Sequence, residues 1–591
     1  MPAPERTQEL PEAATADHAN SDFGQDESHV FFTGARAGTW PATFTQANVL
    51  AWLPGDPTSA VLSDIVKLPP RVSVDDIRAA LEVLVSRHES LRTIFPATEG
   101  EPVQQVLGAG LLPVRFLPIL DGTTPDRTTQ AMWQAEPFDH ASELPLRVTV
   151  YLDEGRPALM RLDVSHVAAD QAAAELIERD LLDLLVNPET RVVGPPRRQP
   201  VDQARDERSI RGTRRLEATL RYWSEQLRRL PLCVMALPVR QDADAGHLKA
   251  TLTSAAAAEA LTKIAARTSA SRSTVVLTCL AMVLAWWTDS RTLKIHATCS
   301  NRFLLGARDY VGTIAQETLV PFTADHHAFD DLVRHMTVAA VTAYRYGHYD
   351  APPLIRATEE VMHERGMYSH RDVVVNDVSA ITDAPGNTIH PHTSAGSRIE
   401  VTSEPFRPEP VRLTVVRLAS RLEVDLSCDS RLIPRETMEE LLRGAELVLL
   451  AAADGDVLLA DLAALARIRP VARGPEWTCI DGNWIDVAAV QRIVAGELRH
   501  GVARVFTVPD GAGRPLVAYL TSQDEVDLGE LHAACVARLG PEEHGVMTPQ
   551  WYVVVASAPD DTEQLASWRR RSVLREGSGR VSPGTGTPEP R

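Results

Sequence analysis

In the stretch RLDVSHVAADQAAAELIERDLLDLL, Arg161 to Leu185, two residues have types and spacing suited to chemistry: His166 and, four positions on, Asp170. An imidazole titrates at about pH 6.5 when unperturbed, so it is the natural group to orient or deprotonate an attacking amine or hydroxyl. A carboxylate that begins a helix and points inward needs a cationic partner, and Asp170 is read as locking the local backbone through an arginine. Spacing alone leaves other roles open: a helix-terminal pair, a core histidine satisfied by hydrogen bonds, or half of a metal site. Metal fits least, because zinc takes three or four ligands and no second His or Cys cluster at ligand spacing accompanies the pair.

The elements on either side place this pair at a corner. PLRVTVYLDEG and PALMRLDVS read as two strands joined by a turn at Asp153 to Pro157, and the second delivers the chain to His166. Beyond it Ile177, Leu181, Leu184 and Leu185 form an apolar stripe at helical spacing. A strand end that turns into a helix is where a cleft can form. Upstream, SVDDIRAALEVLVSRHESLRTIF starts with Ser73 and Asp76, a helix-start signal, and puts Ile77, Leu81, Leu84 and Val85 on one face.

The whole chain sets wider bounds. Its 591 residues exceed one ordinary core, so several domains are expected. Sixty Lys and Arg against 79 Asp and Glu give a net charge of -19, which repels phosphate backbones and anionic lipid and excludes nucleic acid as a partner. Cys233, Cys279, Cys299, Cys428, Cys479 and Cys535 are scattered singly, which fits a reducing compartment rather than a disulfide framework. The acidic, polar N-terminus lacks a signal-peptide pattern and no apolar run reaches membrane-span length, so a soluble cytoplasmic protein with no membrane partner is expected. Residues 1–28 read as a disordered arm and 576–591 as a flexible tail. VNPETRVVGPPRRQP, residues 186–200, reads as an exposed linker; a second α/β stretch runs to about residue 465, and LARIRPVARGPEW reads as another linker before a small helix-and-strand module ending near residue 575. No internal repeat is seen.

Several stretches resemble one family. RHESLRTIF, Arg87 to Phe95, matches every fixed position of the RHExLRTxF signature of nonribosomal peptide synthetase condensation domains. Ser165 to Gln171 is similar to that family's HHxxxDG motif, RYWSEQL to its YWxxxL segment, SNRF to its NR motif, YVGTIAQETLVPF to its VGxFVNTLPLR segment, and HYDAPPL, His348 to Leu354, to its (H/N)QDxPF motif. Asn376 in VVVNDVS sits where many members have an asparagine after a strand, and the order holds across residues 30 to 465.

The resemblance implies an α/β fold of two lobes like chloramphenicol acetyltransferase, residues 29–205 and 206–465, forming a V around a tunnel, with a small α+β subdomain at 466–575. It implies an acyltransferase that joins a carrier-tethered acyl or aminoacyl thioester to an amine or hydroxyl. His166 is then catalytic, Asp170 pairs with Arg302 across the site, and backbone donors near the motif hold the oxyanion. Asn376 is a substrate-binding candidate. Two positions depart from the motif. Ser165 stands for the first histidine, a mainly structural position, and Gln171 for the final glycine, where its amide is expected to tune acceptor access. No bound cofactor or metal is expected; phosphopantetheine would arrive on a carrier protein in trans, since no carrier segment is seen. The last module resembles the C-terminal subdomain of adenylation domains, but PDDTEQLASWRRR has no lysine where that family has one. Two rival readings stand beside this: a catalytically inactive platform recruiting carrier proteins or tailoring enzymes, and an acyltransferase using soluble CoA esters.

Overall fold

A computed structural model describes residues 26–55, 61–119, 137–192, 197–238, 246–383, 396–498, 500–508, 515–523 and 525–580. Most of the expected arm and tail, residues 1–25 and 581–591, lies outside the described residues.

The first lobe is built on a five-stranded sheet in the order Asp26–Thr33, Ala109–Pro118, Leu146–Asp153, Arg156–Ser165, Val61–Lys67. Its two middle strands form the expected hairpin. The turn is tighter than the residues Asp153 to Pro157 suggest: only Glu154 and Gly155 lie between the strands, at φ 46° and 77°. Two successive positive φ angles match the right-handed twist of the hairpin, and glycine at the second lowers their cost.

Helices Val74–Arg87 and Gln171–Val186 pack against this sheet and each other. Ile77, Leu81, Leu84 and Val85 join Ile177, Leu181, Leu184 and Leu185 in one buried cluster, each contributing about 2–3 kcal/mol of burial. The first helix is capped as its sequence predicts: the Ser73 hydroxyl accepts from the Asp76 amide and the Asp76 carboxylate from the Ser73 amide, each at 3.1 Å.

The stretch 186–200, of which 193–196 lie outside the described residues, is exposed at Val186 and Val192 as expected, and it is tied to the first lobe. Arg87 donates to the carbonyl oxygens of Thr190 and Val192 at 3.3 and 2.9 Å, and buried Gln199 accepts from the Glu89 amide at 2.9 Å. The connection is stitched to the Arg87–Phe95 segment because that segment offers charged and backbone groups that must be matched once buried. Helix Pro200–Glu207 follows at once and spans the expected 205/206 lobe boundary, as strand Asp26–Thr33 spans the expected end of the arm at residue 28.

The second lobe carries a seven-stranded mixed sheet, ordered Gln316–Thr323, Thr292–Cys299, Val373–Asp377, Val411–Arg417, Leu422–Asp429, His247–Ser254, Arg398–Glu404. Helix Arg272–Trp287 is apolar on nearly every side because it is buried on nearly every side. No single helix among the described residues is long and apolar enough to cross a membrane. The C-terminal module has a four-stranded sheet, Gly501–Thr507, Leu516–Ser522, Trp551–Val555 and Val573–Gly577, and a hairpin Trp477–Ile480 with Asn483–Asp486. It shares a core with the second lobe, with Ile480, Ile485, Val490 and Leu516 in the same buried cluster as Leu232, Met235 and Val373.

Candidate functional site

Strand Arg156–Ser165 ends at the residue before His166, and helix Gln171–Val186 starts five residues after it, so the sequence motif is the corner itself. The His166 ring is half-buried and meets the edge of Trp52, with centroids 5.8 Å apart at 85°. Its Nδ1 is buried without a hydrogen-bond partner. One ring nitrogen is thus left uncommitted, which a group that moves or directs a proton requires.

Asp170 is committed entirely. It is the N-cap of the following helix, where Oδ1 accepts from the Ala173 amide at 2.9 Å and from Arg302 Nη2 at 2.5 Å. Oδ2 accepts from the amides of Ile314 and Ala315, each at 3.1 Å. Arg302 also donates to the carbonyl oxygens of Ala307 and Tyr310 at 3.2 and 2.7 Å. Four donors around one buried carboxylate, three of them from the second lobe, lock the corner of the first lobe against its neighbour. Asp170 has no oxygen left over for substrate.

The RHESLRTIF segment braces the corner from behind. Ser90 donates its hydroxyl to the carbonyl oxygen of Ala168, Phe95 packs with Val49 against Val167, and the Phe95 amide donates to His140 O at 2.6 Å. His88 is fully buried with Nε2 2.7 Å from Asp180, which Arg87 also reaches at 3.1 Å. Burial lowers the His88 pKa, and Asp180 is held down to about 2 by His88, Arg197 and Arg87 against the opposing effect of its own burial. The segment is scaffold, not chemistry.

Ser165 has a partner that sequence reasoning missed. Its buried hydroxyl lies 2.7 Å from His140 Nε2, and burial holds His140 below the usual histidine range. An imidazole from another segment therefore stands against the position that departs from the motif. The signal was indirect: a serine in place of a histidine leaves a buried hydroxyl in need of a partner, but nothing in the 25-residue separation names His140. Three of the backbone donors near the motif are otherwise engaged. The amides of Ala168 and Ala169 donate to Ser165 O at 2.9 and 3.1 Å, and that of Val167 to Ser165 Oγ at 3.3 Å.

Gln171 is exposed at the first position of its helix. Asn376 is half-buried in strand Val373–Asp377, in register with Thr414, and among the described residues no hydrogen bond or ion pair joins it to the corner. The structure therefore brings together Ser165, His166, Asp170 and Arg302, while Asn376 stays on the second-lobe sheet. A cavity of about 370 Å³ lies elsewhere, lined by Arg229, Phe322, His326 and His335 among others.

Two α/β lobes, with a histidine at a strand-to-helix corner of the first and a carboxylate pinned to the second, define the condensation-domain class. Residues 36–454 match that family's Condensation domain, and the chain belongs to it. Among curated proteins it is 30% identical over 296 residues to phosphinothricin tripeptide synthetase PhsC of Streptomyces viridochromogenes, covering 47% of this chain and 27% of that protein. It is 28% identical over 305 residues to a probable non-canonical nonribosomal peptide synthetase of Salinispora arenicola, covering 49% of this chain and 4% of that one. The chain thus spans well under half the length of these relatives. Among solved structures, the X-domain in complex with OxyB from teicoplanin biosynthesis aligns with TM-score 0.52 and 22% identity, over 72% of this chain and 96% of that one. The enacyloxin polyketide synthase structure, titled for condensation domain-mediated chain release, aligns with TM-score 0.53 and 19% identity, over 71% and 84%. These likenesses show the two-lobe fold.

Proposed function

We propose that the chain is an acyltransferase of natural-product assembly, joining a carrier-tethered acyl or aminoacyl thioester to an amine or hydroxyl acceptor. The observation that carries this is His166, half-buried at the strand-to-helix corner with its Nδ1 unpartnered, on a turn that Asp170, Arg302 and Ser90 hold in place. An acceptor nitrogen or oxygen, oriented by the imidazole, attacks the thioester carbonyl, and the new C–N or C–O bond forms as the C–S bond breaks. The proton given up by the acceptor passes to the imidazole and then to the departing phosphopantetheine thiolate. The carrier brings that arm, and this chain needs no resident cofactor for the step. Much of the acceleration comes from holding two reactants together out of water. With the amides of Val167, Ala168 and Ala169 engaged, the backbone donors left near the motif are those that open helix Gln171–Val186.

Ser165 in place of the motif histidine, the exposed Gln171 and the likeness to an X-domain that binds OxyB favour a second reading, a recruitment platform without catalysis. The C-terminal module, with the outline of an adenylation C-terminal subdomain but no lysine in PDDTEQLASWRRR, is read as a structural unit on the second lobe in either case. Product formation from loaded carriers by the His166→Ala variant separates the two. Loss of product with carrier binding retained supports the transferase; unchanged output supports the platform. Competition between acyl-CoA and acyl-carrier donors tests the CoA-dependent alternative.

A further inference from the structure

Where the C-terminal module meets the second lobe, three side chains distant in sequence converge. Cys233, His370 and His544 each offer a ligand atom within 4.8 Å of the other two. Cys233 Sγ and His544 Nδ1, 311 positions apart in the chain, are 3.7 Å apart, and the rings of His370 and His544 stack at 4.1 Å. Two donors on one tetrahedral zinc, with bonds of about 2.3 Å to sulfur and 2.0 Å to nitrogen, stand about 3.5 Å from each other, so these atoms need little adjustment.

Two of the three ligands are held in place by other groups. The backbone amides of Leu232 and Cys233 donate to Asn483 Oδ1 at 2.7 and 3.1 Å, which fixes the cysteine loop to the module. His370 donates its own amide to Leu232 O at 2.9 Å, and its Nε2 lies 3.2 Å from the carbonyl oxygen of Glu543. A carbonyl only accepts, so Nε2 carries the proton and Nδ1 presents its lone pair, the tautomer that metal-bound histidines acquire from such a partner.

An independent observation points the same way. Asp372 is fully buried, yet its Oδ1 has no hydrogen-bond partner and lies 3.6 Å from His544 Nδ1. Its other oxygen accepts from the amides of Val234 and Met235 at 2.5 and 3.3 Å. Lys294, also fully buried, is the nearby cation, but its ammonium is directed to Leu232 O and Ser369 Oγ, both at 2.8 Å, and does not bond the free oxygen. A buried carboxylate oxygen without a donor beside a thiol and two imidazoles is a place where a divalent cation supplies what is missing.

We infer that Cys233, His370 and His544 form a structural site for a zinc-type divalent cation, with Asp372 nearest the fourth position, that fastens the C-terminal module to the second lobe. Binding displaces the Cys233 thiol proton to solvent, leaving a thiolate on the metal. The inference does not depend on whether His166 catalyses transfer.

The test uses the full chain. Elemental analysis of the purified protein is expected to find about one zinc per chain. Co2+ added to metal-stripped protein is expected to give a thiolate-to-cobalt absorption band in the near ultraviolet. Cys233→Ser should abolish that band, and His544→Ala, a less buried position, should weaken zinc affinity by about tenfold or more, while His29→Ala, on the first lobe's sheet, changes neither. Wild-type protein that binds no zinc and gives no thiolate band overturns the site, whatever the variants do. A band that survives in Cys233→Ser overturns the ligand assignment.

Discussion

The two buried carboxylates, Asp170 and Asp372, are matched very differently. Asp170 has an arginine, a helix N-terminus and two further backbone amides on its oxygens, whereas Asp372 has two amides on one oxygen and no donor on the other. The first site leaves the imidazole of His166 uncommitted, which suits a group that handles a proton. The second leaves several donor atoms facing one another, which suits a cation. A polar cluster's function is thus read from what it leaves unsatisfied as much as from what it contains.

The sharpest way to break this comparison is to remove the better-matched carboxylate. Asp170→Ala strands Arg302 and two second-lobe amides, and a loss of about 3–5 kcal/mol is expected in chemical denaturation. Asp372→Asn in metal-free protein should cost clearly less, and the stabilisation by added zinc should shrink with it. Equal losses for the two variants would contradict the contrast.

Next in size is the missed imidazole. His140→Ala takes the side-chain partner of the buried Ser165 hydroxyl and leaves it only the Val167 amide, at about 1–3 kcal/mol. Ser165→His alone should crowd His140, while the double variant Ser165→His, His140→Ala should recover part of that loss. A double-mutant cycle with no coupling between the two would show that they do not share one position. Smaller again, Ser90→Ala frees the Ala168 carbonyl at about 1 kcal/mol, and turnover should fall by more than that stability loss explains because the His166 turn shifts.

These sites also differ in how much of them sequence reveals. RHESLRTIF and SHVAADQ are contiguous, and the family likeness of the one and the corner position of the other follow from local order. The Asp170–Arg302 pair lay within reach because both residues sit in recognisable motifs. His140 did not, because a hydrogen bond between two strand-flanking segments leaves no periodic trace. The Cys233, His370 and His544 cluster was invisible for the same reason: ligand spacing is a sequence signal only when ligands are near neighbours in the chain, and here the fold alone assembles them. The Pro and Arg content of the 186–200 stretch reports its solvent preference, borne out at Val186 and Val192, but not its hydrogen bonds to Arg87.

A further expected effect is one of pH. On the helix that follows the corner, Glu175 is raised to about 7, chiefly by burial and then by Asp64, and Glu178 is raised by the same two causes. Carboxylates whose folded-state pKa exceeds the unfolded value bind protons more tightly when folded, so their contribution destabilises as pH climbs from about 4.5 to about 7 and levels off above. Glu175→Gln with Glu178→Gln should flatten that slope in thermal unfolding; an unchanged slope would place the titrating groups elsewhere.

The most direct test of the central claim is transfer by His166→Ala with a loaded carrier protein and an excess of acceptor, read by mass spectrometry beside a carrier-binding isotherm. The account predicts product formation down by about 100-fold or more, with carrier affinity unchanged. Wild-type rates in that variant would contradict it and leave the corner as a structural feature of a recruiting platform.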